Sequence, residues 1–304
     1  MNIYTECKIT YISSDIFLSA INVIRYDCGE LCNTTRTGTR GPYFDHITAR
    51  VDCRLLFENA FIDLDHGLRY APATIPRELW DDFTMNNRIN VTSYYFDDHF
   101  VGKQGQTPVW SEQMVSNYLS QARQSQLYGP YGIADTNALR DGLLHAAGVK
   151  NGRVLIIGSI TPWVEACVLE AGARQIVTVE YSKIESYHTQ IQTLTPQEFR
   201  EHFLKGKLGP FDAVVTFSSV EHSGLGRYGD GLNPWGDMIA IARGWCVTKK
   251  RGSLTIGVMY KDNSDLLMFN AHRIYGRIRY PYLTTNWKQM YRGRGDQRIH
   301  VFVK

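Results

Sequence analysis

The 304-residue sequence has no long uninterrupted apolar run, no internal repeat and no low-complexity segment. Its most apolar N-terminal stretch, residues 12–24, is broken by serine, aspartate and asparagine. This stretch is therefore neither a signal-peptide core nor the run of about twenty apolar residues that crosses a membrane. These absences predict a soluble globular chain without a membrane segment. The expected location is cytoplasmic, or the Golgi lumen if the protein acts on glycans.

Cysteine is scarce, and the six present are unevenly placed. Four lie in the first fifth of the chain: Cys7, Cys28, Cys32 and Cys53. Cys167 and Cys246 stand in apolar helical contexts, which predicts buried small hydrophobic side chains. The Cys28–Cys32 spacing is wider than the Cys-x-x-Cys of a zinc knuckle, and no later pair completes a tetrahedral set, so no metal site is predicted. A disulfide among the first four stays open.

Acidic residues are few in the last part of the chain. Residues 240–304 contain thirteen Lys and Arg against three acids, which leaves residues 1–239 with 20 basic and 27 acidic side chains. A basic segment of this kind favours either a solvated rim that balances the acidic part or an anionic partner such as RNA. The rim is the simpler interpretation, and nucleic acid is kept as the alternative.

The pattern of the chain changes near residue 135. Residues 1–130 are rich in Tyr, Asn and Thr and show no regular periodicity, so we expect an irregular region that partly covers a site as a substrate cap. From Asp135 onward the pattern is regular and begins with a helix over residues 138–147. Residues 131–304 are therefore expected to carry the regular fold.

After residue 150, short apolar runs alternate with helical stretches, which is typical of βαβ units around a parallel sheet. The predicted strands are Val154–Ile157, Gln175–Val179, Phe211–Phe217, Ser253–Val258 and Ile299–Val303. One predicted helix is capped by Thr161, starts at Pro162 and stops before Gly172; two more cover residues 235–247 and 266–275. The fold class is therefore α/β, with a Rossmann-like, doubly wound, mostly parallel sheet and an irregular N-terminal extension.

The stretch from Val154 to Glu180 has the features of a cofactor edge. Its first strand breaks at Gly158 and leads to a helix whose N-terminus presents unpaired N–H groups. Only this one glycine of a GxGxxG pattern is present. Glu180 ends the next strand 22 residues later, where a carboxylate can accept two hydrogen bonds from a ribose diol. The combination predicts a cofactor that contains a ribose, either NAD or S-adenosylmethionine.

The segment from Phe211 to Gly224 distinguishes between cofactors. Its Phe-Asp-Ala-Val-Val, followed by Ser-Ser-Val-Glu-His, resembles motif IV of class I S-adenosylmethionine-dependent methyltransferases. Arg251-Gly-Ser-Leu254 resembles the turn before their fifth strand. The resemblance implies a Rossmann-like methyltransferase with S-adenosyl-L-methionine as cofactor, and it implies that the loop after the motif lies beside the transferred methyl group.

A narrower resemblance joins three segments of the sequence. Residues Gly158–Glu165, Ser218–Asp230 and Asn233–Asp237 resemble a family of methyltransferase-like proteins, known from nematodes and algae, that is labelled a domain of unknown function. The resemblance extends from about Val91 to the end of the chain. It implies a fold and a cofactor but no particular acceptor.

The motifs nominate a set of site residues. The expected cofactor-binding residues are Gly158, Ser159, Thr161, Pro162, Trp163, Glu180, Thr195, Ser218 and Ser219. His222 is the expected general base, because imidazole titrates near neutral pH, and Glu221 is expected to orient it. The glycine-rich segment that follows is typical either of a substrate loop with exposed side chains for a sugar face or of an ordered loop held by the packing of Tyr228 and Trp235. These substrate-binding side chains are Arg227, Tyr228, Asp230 and Trp235.

We therefore expect a methyltransferase that favours oxygen on a carbohydrate or small hydroxylated acceptor. An RNA methyltransferase and a non-catalytic Rossmann-like binding or scaffold protein remain as alternatives. The run Asp97–His99 is typical of a solvated turn rather than of metal ligands. The aromatic clusters Tyr94–Phe96 and Tyr128–Tyr131 indicate core packing, or else a roof over the site.

Overall fold

A computed structural model describes residues 14–41, 44–63, 72–96, 98 and 107–304 of the chain. The helices are α1 (Ser14–Cys28), α2 (Cys53–Glu58), α3 (Trp80–Thr84), α4 (Glu112–Arg123), α5 (Ile133–Leu143), α6 (Trp163–Glu170), α7 (Pro196–Leu204), α8 (Gly236–Val247) and α9 (Tyr280–Leu283). The strands are β1 (Thr39–Arg40), β2 (Asp45–His46), β3 (Asn90–Tyr94), β4 (Val109–Trp110), β5 (Arg153–Ile157), β6 (Gln175–Val179), β7 (Glu185–Ser186), β8 (Ile191–Leu194), β9 (Phe211–Phe217), β10 (Thr248–Met259), β11 (Leu266–Asn270), β12 (His272–Ile274), β13 (Lys288–Arg292) and β14 (Gln297–Val303).

The main sheet has seven strands in the order β13-β14-β10-β9-β5-β6-β8. All of them run in one direction except β14, which is antiparallel to both of its neighbours. The chain moves outward from β5 to β6 and β8 and then crosses back to β9 on the other side of β5. The carboxyl ends of β5 and β9 therefore form a topological switch point, where open α/β sheets bind ligands. The expected Rossmann-like, mostly parallel fold is confirmed.

Alternate side chains of the central strands pack on opposite faces of the sheet, as the two-residue period of a strand requires. Val154 and Ile156 join a buried cluster with α4, α5 and α6. Leu155 joins a second cluster with residues of α7 and α8. Both faces are thus covered by helices, which leaves the strand ends and their loops as the place for a site.

Most strand predictions hold. The bounds of β6 and β9 are as predicted, and β5, β10 and β14 each contain the predicted strand. Residues 266–275 do not form the predicted helix: they form β11 and β12, and β11 pairs in parallel with β3. The partner lies more than 170 residues earlier in the chain, so local spacing could not reveal this pairing.

The helix α6 starts differently from the prediction. The residue before it is Pro162, and the described residues provide no side-chain cap, so the expected Thr161 cap is wrong. The Thr161 carbonyl instead accepts a hydrogen bond from the Trp163 N–H, because the chain turns tightly between β5 and α6. Gly172 lies just past the end of the helix with a φ of 90°, as predicted.

The described part of the first 130 residues packs on the regular fold. A third buried cluster joins apolar side chains of α1, α2 and α3 with residues of α8 and β11. The helix α4 packs along α6. In the described part of the chain, no helix combines the length and the apolar character needed to cross a membrane.

Cysteine pairing corrects one prediction. Cys28 is bonded to Cys32, and Cys53 is bonded to Cys246, which links α2 to α8. The prediction that Cys246 is simply a small hydrophobic side chain is wrong, since its partner lies 193 residues away and its own context gives no sign of it. Cys167 is buried and unpaired, as predicted. Cys7 lies outside the described residues.

Candidate functional site

The turn after β5 and the loop after β9 meet at Gly158. This glycine has a φ of 76°, and a Cβ atom there would overlap the side chain of Ser219. Side chains other than glycine are strained at such a φ. The glycine therefore allows the two segments to touch.

Glu180 closes the other side of this turn. Its Oε2 accepts a hydrogen bond of 2.9 Å from the Ser159 N–H, and its Oε1 accepts one of 2.7 Å from the Tyr181 N–H. Burial raises the pKa of this carboxyl, and the backbone hydrogen bonds oppose the rise. The acid is thus fixed beside the glycine turn, with its orientation set by two backbone donors.

A groove runs along the carboxyl ends of β5, β6 and β9. It consists of two adjoining cavities, which are lined by these strand ends and by the loops that follow them. Five residues line both cavities: Gly158, Glu180, Tyr181, Ser219 and Ser223. The shared lining makes the groove continuous, and Glu180 stands at its middle.

The first cavity is largely apolar. Val179, Phe199 and Ile239 line it, together with an ion pair between Asp63 and Arg243. The Arg243 guanidinium also donates to the Leu56 carbonyl, so it is held on two sides. An apolar slot with a few fixed polar groups suits a flat heterocycle.

The second cavity has an aromatic wall. Trp163 and Phe217 meet edge to face with ring centroids 4.8 Å apart, and Tyr131 lies 5.5 Å from Phe217. His222 and Tyr228 complete this wall, with their ring centroids 5.5 Å apart. The described lining of this cavity contains no Lys or Arg.

His222 faces this cavity in its neutral form. Its Nδ1 lies 2.8 Å from the Ala271 carbonyl oxygen, which can only accept, so Nδ1 carries the proton and Nε2 keeps a lone pair. Burial lowers the pKa of the imidazole to about 4, although the hydrogen bond to Ala271 opposes the shift. At neutral pH His222 is therefore a hydrogen-bond acceptor and a weak base.

Glu221 lies behind the wall of the second cavity. It is fully buried in the one-turn 3-10 helix Val220–His222. Its Oε1 accepts a hydrogen bond of 2.8 Å from the Ser218 hydroxyl. Burial raises the pKa of the carboxyl to about 7. It makes no described hydrogen bond to His222, so the structure does not bring the two together as a base and its orienting partner.

The structure brings most of the nominated residues to one groove. The second cavity is lined by ten of them: Gly158, Ser159, Thr161, Trp163, Glu180, Ser218, Ser219, His222, Tyr228 and Asp230. The described lining does not include the other five: Pro162, Thr195, Glu221, Arg227 and Trp235. Thr195 caps α7 in a capping box with Glu198, and the next residue, Pro196, lines the first cavity instead.

The glycine-rich segment is more closed than its sequence indicates. Trp235 is 2% exposed and packs in the third cluster, and Asp230 is 8% exposed, so the expectation of exposed side chains is wrong for both. The Asp230 carboxylate accepts from the Gly224 and Tyr228 N–H groups, which folds the segment onto itself. Arg227 is ion-paired with Asp98 and stacked on Phe96.

Several residues of the groove were not nominated from the sequence. Tyr131 was weighed only as core or roof, and its ring in fact lines the second cavity while 42% exposed. Asp63 and Arg243 belong to distant segments, and neither has a sequence signal for the groove. Of the run Asp97–His99, only Asp98 is described, and it pairs with Arg227 rather than with a metal.

The basic C-terminal segment is largely neutralised within the fold. Seven of its thirteen cations are held by carboxylates or carbonyl oxygens: Arg243, Lys249, Arg273, Arg279, Arg292, Arg298 and Lys304. The Lys249 end of β10 also lies at the sheet edge opposite the groove, because β10 runs parallel to β9. The charge asymmetry therefore reflects internal pairing more than a patch around the groove.

The chain is similar to solved structures at low sequence identity. An O-methyltransferase from Bacillus cereus in complex with SAH matches at 10% identity and a TM-score of 0.35, over 68% of this chain and 96% of that one. An O-methyltransferase family protein from Burkholderia thailandensis matches at 11% identity and 0.35, over 75% and 69%. A chain from Streptococcus mutans that is described as a SAM-dependent methyltransferase matches at 12% identity and a TM-score of 0.33, over 56% of this chain.

This chain spans about half, 48%, of the length of the Streptococcus mutans protein. No curated protein matches the sequence. One family model does match, over residues 150–303, which is just over half of the chain and includes β5, the glycine turn, Glu180 and the loop after β9. By this match the chain belongs to the family DUF268, described as Caenorhabditis protein of unknown function.

Proposed function

We propose that this protein is an S-adenosylmethionine-dependent methyltransferase that methylates oxygen on a small hydroxylated or carbohydrate acceptor. The observation that carries the proposal is the convergence of Gly158, Ser159 and Glu180 at the middle of a groove on the switch point of the sheet. A carboxylate at the end of the second strand suits a ribose diol, and the apolar first cavity suits an adenine.

The residues present fit such a cofactor. In the proposed arrangement Val179, Phe199 and Ile239 hold the base, and Glu180 holds the ribose hydroxyls. The second cavity would then hold the methionine part and the acceptor together, beside Ser218 and His222. When bound, S-adenosylmethionine supplies an electrophilic methyl group. The protein has to orient an acceptor oxygen in line with that group and keep water away.

His222 is the proposed contact for the acceptor hydroxyl. Its Nε2 can accept a hydrogen bond from that hydroxyl, because Nδ1 is committed to the Ala271 carbonyl. The low pKa of His222, about 4, keeps the imidazole neutral at physiological pH. The sequence predicted a general base at His222. We propose that His222 orients the acceptor hydroxyl by accepting its hydrogen bond and contributes little as a base.

The acceptor is proposed to be neutral. The aromatic wall of the second cavity offers ring faces for a sugar or another cyclic molecule, and the absence of Lys or Arg from its described lining gives no partner for a phosphate or carboxylate. A glycan or small hydroxylated compound fits this lining better than an anionic acceptor does.

Isothermal calorimetry with S-adenosylmethionine and with S-adenosylhomocysteine tests the proposal. We expect micromolar binding of both, and loss of binding in a Glu180→Ala variant that keeps its melting temperature. If calorimetry detects no binding heat at high micromolar ligand, the proposed enzymatic function is refuted and a scaffold function is favoured. RNA as the acceptor would instead appear as RNA affinity that falls steeply with salt.

His222→Ala tests the acceptor contact separately. We expect unchanged S-adenosylmethionine affinity and a lower rate of labelled methyl transfer to a panel of methyl glycosides and simple phenols. Full turnover in this variant would remove His222 from the site.

A further inference from the structure

The loop after β9 holds a carboxylate oxygen for which the described structure provides no partner. Oε1 of Glu221 accepts from the Ser218 hydroxyl, but Oε2 is buried without a hydrogen-bond partner among the described residues. A buried acceptor without a donor destabilises the folded state. A fold that keeps such a group beside a cavity calls for an explanation, which packing alone does not provide.

Ser218 links this carboxylate to the groove. Its side chain lines the second cavity, whereas Glu221 is completely enclosed. Ser218 has a φ of 44°, in the left-handed region that residues with a Cβ rarely adopt. Its N–H donates to the Gly257 carbonyl, which helps to hold this backbone in place. The strained residue is thus the one that bridges cavity and carboxylate.

Tyr131 lines the second cavity together with Ser218. The Ser218 hydroxyl has a single hydrogen, which it donates to Glu221, so its oxygen can still accept a hydrogen bond from a molecule in the cavity.

We propose that Ser218 and Glu221 form a relay that takes the proton of the acceptor hydroxyl, with Ser218 as the catalytic residue and Glu221 acting through it. This inference rests on the proposed methyl transfer. In the reacting complex the acceptor hydroxyl directs its single hydrogen to Ser218 Oγ instead of His222 Nε2, so that His222 serves only to hold the acceptor before this step. Its proton passes to Ser218 as the proton of Ser218 passes to Glu221 Oε1.

The step balances in atoms and charge. A lone pair of the acceptor oxygen forms the new bond to the methyl carbon, and the electron pair of the broken carbon–sulfur bond stays on sulfur. The sulfonium cation becomes a neutral thioether, and the Glu221 carboxylate becomes a neutral carboxylic acid. The product complex is therefore free of the buried negative charge of Glu221.

The electrostatics around Glu221 support a proton acceptor. Burial raises its pKa to about 7, and hydrogen bonds from Ser218 and the backbone, together with the charge of Arg273, oppose the rise. Tyr131, Tyr228 and Tyr275 are the other titratable groups that interact with it. A base is most effective when its pKa lies near the working pH, a condition that Glu221 meets and His222 does not.

Glu165 provides a matched control. It is also fully buried, and burial raises its pKa to about 7 as well. Both of its oxygens are hydrogen-bonded, to Ser159 and Thr178, and Ser159 also lines the second cavity, so Glu165 is the carboxylate that competes with Glu221 for this role. We compare Glu221→Gln, Ser218→Ala, the double variant and Glu165→Gln in labelled methyl transfer to the methyl glycoside and phenol panel.

The wild-type rate should rise with pH through an apparent pKa near 7, because only the ionised carboxylate accepts the proton. Glu221→Gln and Ser218→Ala should each lose about 10²- to 10⁴-fold in rate together with this pH step. The double variant should be no slower than either single one, since the residues act in series. Glu165→Gln should keep the step. A step that survives in Glu221→Gln, or one near pH 4, would overturn the relay.

Infrared difference spectra test the same inference without turnover. The carboxylic-acid band of Glu221, identified by its absence in Glu221→Gln, should titrate near pH 7 and should shift in Ser218→Ala. A band that titrates near pH 4, or a band that is unchanged in Ser218→Ala, would overturn the relay. This holds even if the protein does not bind S-adenosylmethionine. Calorimetry on the same samples shows whether the proposed cofactor binds, so the two failures are distinguished.

Discussion

The turn after β5 and the loop after β9 touch at Gly158. A buried carboxylate belongs to each region, and the two differ in their hydrogen bonding. Next to the turn, in the first turn of α6, Glu165 has both oxygens hydrogen-bonded, to Ser159 and Thr178. In the loop, Glu221 has one oxygen bonded and one without a described partner. Burial raises both pKa values to about 7. A turn beside a fully hydrogen-bonded carboxylate is suited to hold a ligand rigidly, whereas a loop whose carboxylate keeps one unbonded oxygen is suited to receive a proton.

Gly158→Ala should have the largest effect, because it separates the two regions. The new Cβ would overlap Ser219 at a backbone φ of 76°. We expect the free energy of unfolding in urea to fall by about 3 kcal/mol and S-adenosylmethionine binding to be lost. Gly206→Ala is the control, since its φ is 65° and its surroundings are open. Equal losses in both variants would contradict the packing role of Gly158.

The pH dependence of stability should reveal both carboxylates. Their folded-state pKa values exceed the ordinary 4.5, so the folded state holds protons that the unfolded state has released between about pH 4.5 and pH 7. Stability should therefore be highest below this window, fall by up to about 3 kcal/mol per group across it and level off above pH 7.

Glu165→Gln and Glu221→Gln should each remove one part of this fall and be more stable than wild type at pH 8 by about 1–3 kcal/mol. Denaturant titrations at pH 5 and pH 8 measure the difference. An unchanged slope in either variant would mean that its carboxyl does not titrate in this window.

Glu180→Gln tests the ligand-holding side of the comparison. The amide keeps one oxygen for the backbone donors and loses the charge that strengthens hydrogen bonds to a ribose. We expect S-adenosylmethionine affinity to fall about tenfold, with little change in stability, by calorimetry and thermal melting. Glu201→Gln, at an exposed position on α7, should bind as wild type does. Equal binding by both variants would exclude Glu180 from the ribose site.

Tyr131→Phe should have the smallest effect, because it changes one polar group in the lining of the second cavity and leaves the bond between Ser218 and Glu221 intact. We expect about a threefold lower rate near pH 7 and an unchanged affinity for S-adenosylmethionine. Tyr128→Phe, on the same segment and 74% exposed, is the control. A loss as large as that of Ser218→Ala would show that the phenol is needed for the proton transfer.

Sequence patterns were informative where burial is uniform along an element. The strands β6 and β9 were predicted residue by residue because strands buried on both faces require continuous apolar runs. The same reasoning located Gly158 and Glu180 at adjacent strand ends. It failed for β11, whose pairing partner β3 lies far away in sequence, and for Cys246, whose partner Cys53 does.

The candidate site divides along the same line. Ser218, Ser219 and His222 follow a predicted strand, so their place at the edge of the sheet follows from the sequence. The burial of Trp235 and Asp230 does not follow from the sequence, because a glycine-rich segment can either stay exposed or fold onto its own backbone. Tyr131 joins the groove from a segment before the first sheet strand, and only packing against Phe217 brings it there.

The sequence by itself determined the parallel sheet and the presence of an acid beside a glycine turn, since hydrophobic periodicity is a property of the chain. The tertiary structure alone decided which polar groups are satisfied. Hydrogen bonding and desolvation depend on contacts between distant residues, and they separate Glu165, which is fully bonded, from Glu221, which retains an acceptor next to the groove.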